Sequence, residues 1–240
     1  MSDGVIYAGA GSILNMQGWT WEAMAEYTLK CTKKTLSASR LAVLLSQACD
    51  ELYEERPGDD TTIAVARVIE RRIVNIFTGP PKDKADDDRL MHEFMRSEGK
   101  KVVSGGTSSN IAARFLGKEI ITRADSADPD VPPAAEIEGI DLVTEGVLTL
   151  GKCLKLLKKY ANGEFDEEFF DELDADNGAS RLAKLLIEEC TELNLFVGTS
   201  VNKAHKNSEL SFDLSMRMNL VEQLIRIMKQ MGKHVSAKYY

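Results

Sequence analysis

The chain has 240 residues, 43% of them apolar, enough for one large packed domain or two modest ones. Lys plus Arg number 30 and Asp plus Glu 38, giving a net charge of −8 and a pI near 5.1, which argues against a nucleic-acid-binding surface. Charges interrupt every apolar run before the roughly 18–20 residues a membrane span needs.

Four dispersed cysteines (Cys31, Cys49, Cys153, Cys190) form no CxxC pair, and no secretory leader is evident, so secreted disulfide scaffolds and zinc ribbons are disfavoured. Buried thiols in a cytoplasmic protein are expected instead.

The chain opens on Ser2-Asp3-Gly4, a turn with glycines close behind. Thr20 is placed to cap a helix over residues 20–31. Leu41, Leu44, Leu45, Ala48 and Leu52 recur at helical spacing and predict a second helix over residues 37–53 with one buried face. The turn Arg56-Pro57-Gly58-Asp59-Asp60 follows, and residues 61–69, rich in β-branched and small side chains, read as a strand.

From residue 72 the texture becomes strand, glycine-containing loop and helix, repeated. Strands are predicted at 72–77, 101–104, 118–122 and 195–197, with a brief apolar run at 140–143 and a terminal strand. Helices are predicted over 86–98, from the loop at 105–110 to Gly117, from 146 to about 160, over 180–192 and over 214–231. Residues 123–138 are acidic, carry three prolines and read as an exposed loop. The expected fold class is α/β, with a mainly parallel sheet in a three-layer domain over residues 72–240 and a separate segment over residues 1–71.

Asp3-Gly4 and Asp59-Asp60-Thr61-Thr62 form the first chemical constellation. Two acids separated by a helical excursion can converge on one divalent cation, and hard oxygen ligands suit Mg²⁺ or Mn²⁺. Both are also ordinary turn sequences. The segments Ser2-Asp3-Gly4-Val5-Ile6-Tyr7-Ala8-Gly9 and Pro57-Gly58-Asp59-Asp60-Thr61-Thr62-Ile63-Ala64-Val65 resemble the last two motifs of the PPM-type metal-dependent protein phosphatases, closest to the bacterial stage II sporulation protein E (SpoIIE) branch.

That resemblance implies an αββα sandwich, Asp3 and Asp59 as ligands of Mn²⁺ or Mg²⁺, Asp60 as a neighbour, and a phosphorylated protein as substrate. It covers only about residues 2–70, the C-terminal part of such a catalytic domain. Upstream strands with further acids and a phosphate-binding arginine have no counterpart in the chain. The expectation is therefore a truncated or mis-started phosphatase without activity. Its second part resembles an extra domain that follows the phosphatase in some proteins of this branch.

The second constellation consists of three loops alike in composition, Thr78-Gly79-Pro80, Gly105-Gly106-Thr107-Ser108, and Gly198-Thr199-Ser200. In a parallel sheet such loops gather at the carboxyl edge of the strands. Glycines admit a ligand to the backbone, helix N-termini favour an anion, and Asn110 and Asn202 add directional donors. A small phosphorylated ligand is one reading. Ordinary capping at the starts of helices is the other. No Walker-A lysine and no GxGxxG accompany the glycines.

His205, near the third loop, is either a general base without a nameable nucleophile or a structural residue. His92 and His234 read as surface residues. The methionines of the last helix (Met216, Met218, Met228, Met231) read as core filling. The acidic, Phe-containing run at 164–174 is either a solvated helix with one apolar face or a docking surface for a basic partner.

Overall fold

The computed structural model describes residues 1–14, 16–35, 37–56, 58–122, 135–200 and 209–240, with the backbone alone for 209–213. The chain divides into two compact units, Met1–Glu70 with Phe165–Phe170, and Arg71–Glu164 with Asp171–Tyr240.

In the first unit, α1 (Asp3–Ile6) is a single helical turn, where the sequence predicted a turn at Asp3-Gly4. Helix α2 (Trp21–Thr32) starts at Thr20, whose hydroxyl accepts from Ala23 N at 3.4 Å. Helix α3 (Ala38–Leu52) starts at Ser37, which accepts from Arg40 N at 3.4 Å. Their apolar faces and α1 bury Val5, Trp19, Met24, Leu45 and Cys49 in one cluster.

The strand expected over residues 61–69 does not form. Those residues belong to no helix or strand, and Val68 is fully exposed. β-Branched composition reports fit to a pleated neighbour rather than a preference of the isolated backbone, and no described strand lies beside this segment. At its start the segment is held to the chain's first residues: Ser2 N donates to Thr62 O (2.9 Å), Thr62 N donates to Ser2 Oγ (2.8 Å), and Ile63 packs on the cluster around Val5.

The second unit is built on a seven-stranded, mostly parallel sheet. Its strands are β1 (Ile73–Thr78), β2 (Lys100–Ser104), β3 (Ile121–Thr122), β4 (Ala135–Glu136), β5 (Leu142–Thr144), β6 (Glu192–Val197) and β7 (His234–Tyr239). Their spatial order is β3-β4-β5-β2-β1-β6-β7, with only the β3–β4 and β4–β5 pairs antiparallel. From β1 the parallel strands run outward in two directions, through β2 and β5 on one side and β6 and β7 on the other.

Between the strands in chain order come α4 (Asp87–Arg96), α5 (Gly106–Leu116), α6 (Val147–Ala161), α7 (Glu167–Asp174), whose residues through Phe170 group with the first unit, α8 (Gly178–Glu188) and α9 (Glu209–Gln230). Phe77, Val103, Val143 and Phe196 share one sheet face and pack with Leu90, Met91 and Phe94 of α4 and with Ile111 and Ala112 of α5. Alternation places Ile76, Val102, Leu142 and Leu195 on the other face. Helix α6 packs against both α8 and α9.

A polar ladder crosses the sheet. Buried Asn75 donates to Glu98 O (2.7 Å) and Lys100 O (3.2 Å) and accepts from Asn194, which accepts in turn from Ser236 Oγ. Each group in the ladder meets a partner, so the cost of burying an amide is offset. The acidic run at 164–174 contains α7, and it buries Phe169, Phe170 and Leu173. Among the described residues no helix is long and apolar enough to cross a membrane.

Candidate functional site

Strands β1, β2 and β5 are parallel and adjacent, so their carboxyl ends lie on one edge of the sheet and their exit loops meet there. Gly79 N donates to Ser108 Oγ (2.8 Å), Gly105 N donates to Thr144 O (2.9 Å), and Ser104 Oγ donates to Glu145 O (3.1 Å). These three bonds fasten the loops around a cavity of about 250 Å³, lined by Thr78–Pro80, residues 104–108, residues 145–148, Leu150 and Arg217.

Glycine is what leaves the space open. Gly105 and Gly146 are the N-caps of α5 and α6, and neither helix has a side-chain cap. The first amides of both helices therefore lack intrahelical acceptors. A Cβ on Gly146 would lie 3.6 Å from Gly105 Cα, so the two backbones pass with no side chain between them. Nothing lies within 4 Å of where a Cβ on Gly106 would project.

Arg217, on α9, supplies the cation. A Cβ on Gly79 would fall 2.7 Å from its Cζ, which places the guanidinium against the Gly79 backbone, and its Nη2 donates to Ser200 O at 2.9 Å. Among the described residues lining the cavity, Arg217 is the one base and Glu145 the one acid. Two helix N-termini and one guanidinium make the cleft attractive to an anion.

Two of the three predicted loops thus converge, Thr78-Gly79 and Gly105-Gly106-Thr107-Ser108, but the third does not join them. Gly198 N donates to Thr78 O and Ser200 N to Pro80 O, extending the β1–β6 ladder past both strands. This closes the crevice at the point where strand order reverses, the usual ligand position in such sheets. Thr199, Ser200 and Asn110 line a second, larger cavity of about 1070 Å³ together with Tyr239, Tyr240 and the residue 80–87 segment. Asn202 and His205 lie outside the described residues. His92 is exposed and meets the Phe115 ring edge-on at 4.8 Å, and His234 is exposed in β7.

Sequence reasoning missed Glu145, Gly146 and Arg217 as site residues. Thr144-Glu145-Gly146 carried a signal, because it is a glycine loop between an apolar run and a helix. Arg217 carried none, being one charge among many on a long helix.

In the first unit, Asp3 Oδ1 accepts from Gly4 N (3.1 Å) and Asp59 Oδ1 from Asp60 N (2.8 Å). Ser2 Oγ donates to Asp60 O at 2.9 Å, and a Cβ on Gly4 would lie 2.6 Å from that same oxygen, so the two predicted motifs are in backbone contact. Tyr53 donates to Gly4 O at 2.7 Å. Its hydroxyl is pushed above the usual tyrosine value, chiefly by burial, then by the charge of Asp59, with a smaller contribution from Asp3.

The hard oxygens of Asp3 and Asp59 are of the type Mg²⁺ and Mn²⁺ take. Among the described residues, however, no group of three or more His, Cys, Asp or Glu side chains is arranged to hold a metal. Two carboxylates suit weak binding of one hydrated ion. They do not fit a dinuclear centre, and no reaction step follows from them. Comparison of the chain with family models, with curated proteins and with solved structures finds no match.

Proposed function

We propose that the second unit is a three-layer α/β ligand-binding domain that takes a small anion at the carboxyl edge of β1, β2 and β5. One observation carries this: the uncapped, glycine-led N-termini of α5 and α6 open on the same cavity, beside Arg217. A cavity of about 250 Å³ equals the liquid volume of roughly eight waters. It accommodates a phosphate, a carboxylate or a small phosphorylated molecule, and is too small to enclose a whole nucleotide.

The test is titration of the full chain with inorganic phosphate and small phosphomonoesters by calorimetry at low salt. Binding is expected in the native chain, to be lost in Gly106→Trp, whose ring fills the cleft, and weakened about tenfold or more in Arg217→Gln. Equal binding by all three proteins would remove the cleft from consideration.

A second reading concerns residues 1–70. By resemblance they are a segment of a PPM-type phosphatase domain, and the backbone contact of the two motifs through Ser2, Gly4 and Asp60 supports it. On this reading the pair contributes to an Mn²⁺ or Mg²⁺ site that acts on a phosphorylated protein, with too few ligands in these residues for turnover. Incubation of the chain with Mn²⁺ and a generic phosphoester is expected to give no hydrolysis above buffer. Robust turnover abolished by Asp3→Ala would overturn that expectation.

A further inference from the structure

We infer that the cleft at the carboxyl edge of β1, β2 and β5 selects a small zwitterion, an α-amino acid with its carboxylate on the helix N-termini and Arg217 and its ammonium on Glu145. This rests on the anion-site reading above and adds the ligand's second charge. Glu145 is the one acid among the described lining residues, its side chain is exposed, and it makes no ion pair or side-chain hydrogen bond with any described residue. Its backbone is not free to drift, because Ser104 Oγ donates to Glu145 O at 3.1 Å.

An acid at the mouth of a site built only for a bare anion would weaken that site by repulsion. An acid beside an ammonium-bearing anion completes it. The guanidinium of Arg217 is held at Ser200 O and against Gly79, so the two charges of the site have separate anchors.

Two further features fit the same ligand. Thr78 lines the cleft beside Gly79 and brings a hydroxyl to its wall. Val147, Leu148 and Leu150 supply an apolar wall for a short side chain. The volume suits a molecule of about ten non-hydrogen atoms.

The experiment pairs amino acids with hydroxy acids of the same skeleton: alanine with lactate, serine with glycerate, leucine with 2-hydroxyisocaproate. Each is titrated calorimetrically into the full chain, with inorganic phosphate as the anion control. At least one amino acid is expected to bind about tenfold more tightly than its hydroxy acid, the value of one charge-assisted hydrogen bond. Glu145→Gln should erase that difference, weakening the amino acid and tightening the hydroxy acid as the repulsion is removed, with native circular dichroism.

If the hydroxy acids or phosphate bind and the amino acids bind no better, the zwitterion inference fails while the anion site stands. If nothing in the panel binds, phosphate included, both fail.

Discussion

Gly198 and Gly79 are in backbone contact: a Cβ placed on Gly198 would lie 2.2 Å from Gly79 O, nearer than any real side chain approaches. The contact shuts the gap between β1 and β6 and leaves the cleft over β1, β2 and β5 as the smaller, glycine-walled site. Gly198→Ala must therefore push two backbones apart. It is expected to destabilise the second unit by about 3 kcal/mol, the upper end for overpacking against rigid neighbours. Gly151→Ala, inside α6 with open space around it, is expected to stabilise by about 0.5–1 kcal/mol. Urea denaturation of both variants measures this, and a Gly198→Ala midpoint equal to that of the native chain would contradict the contact.

The ladder through Asn75, Asn194 and Ser236 grades from buried to exposed, and its energetics should follow. Asn75→Ala leaves Glu98 O without its donor and opens a cavity in the sheet, costing about 2–3 kcal/mol. Ser236→Ala, at the exposed end, should cost less than about 1 kcal/mol. Equal losses at the two positions would mean that burial does not govern the ladder.

Tyr53 reports on the two carboxylates of the first unit. Its hydroxyl is raised by burial, then by Asp59 and, less strongly, by Asp3. Asp59→Asn and Asp3→Asn are each expected to lower its titration midpoint, Asp59→Asn by more, as read by ultraviolet difference spectra. No movement in either variant would place the acids away from Tyr53.

A raised tyrosine contributes stability that is complete below its unfolded value, near pH 10, and is lost as pH rises through the folded value. Tyr53 is raised, and so is Tyr240, first by burial and then by its 2.9 Å hydrogen bond to Glu93. Stability is therefore expected to fall above about pH 10. Tyr240→Phe should flatten that fall in melts followed across the alkaline range. An unchanged alkaline limb in Tyr240→Phe would remove this residue as a cause.

All four cysteines are buried and free. Burial pushes the Cys49 and Cys190 thiols up to about 11 and that of Cys153 higher still. Thiolate is the reactive form, so a thiol reagent at neutral pH should label none of these three in the native chain and all four cysteines in urea. Rapid native labelling of Cys153 would show that its helix opens readily.

Most of the element sequence was legible because its signals are local. Thr20 caps the helix it was expected to cap, the second helix starts at Ser37 as expected, and Gly117 ends α5 in a left-handed conformation. Periodicity located α3, α6 and α8 to within a few residues, since a helix's own hydrogen bonds close over four positions. The failure at residues 61–69 has the converse cause: a strand exists only with a neighbour, and composition does not say whether one is there. The closeness of the Asp3 and Asp59 motifs was suggested by resemblance, and their backbone contact through Ser2 and Asp60 became visible only in three dimensions.

What the amino-acid order determined by itself was the alternation of strands and helices after residue 72 and the glycines at the helix starts. Strand order, and with it the company each loop keeps, was decided by packing across distances that local patterns do not encode. The glycine loop after β6 looked like its counterparts after β1 and β2, yet the ladder holds it against Gly79, outside the cleft. Arg217 and Glu145 entered the site because α9 and the β5 exit loop come to the same edge, a consequence of how the buried faces of the sheet are covered.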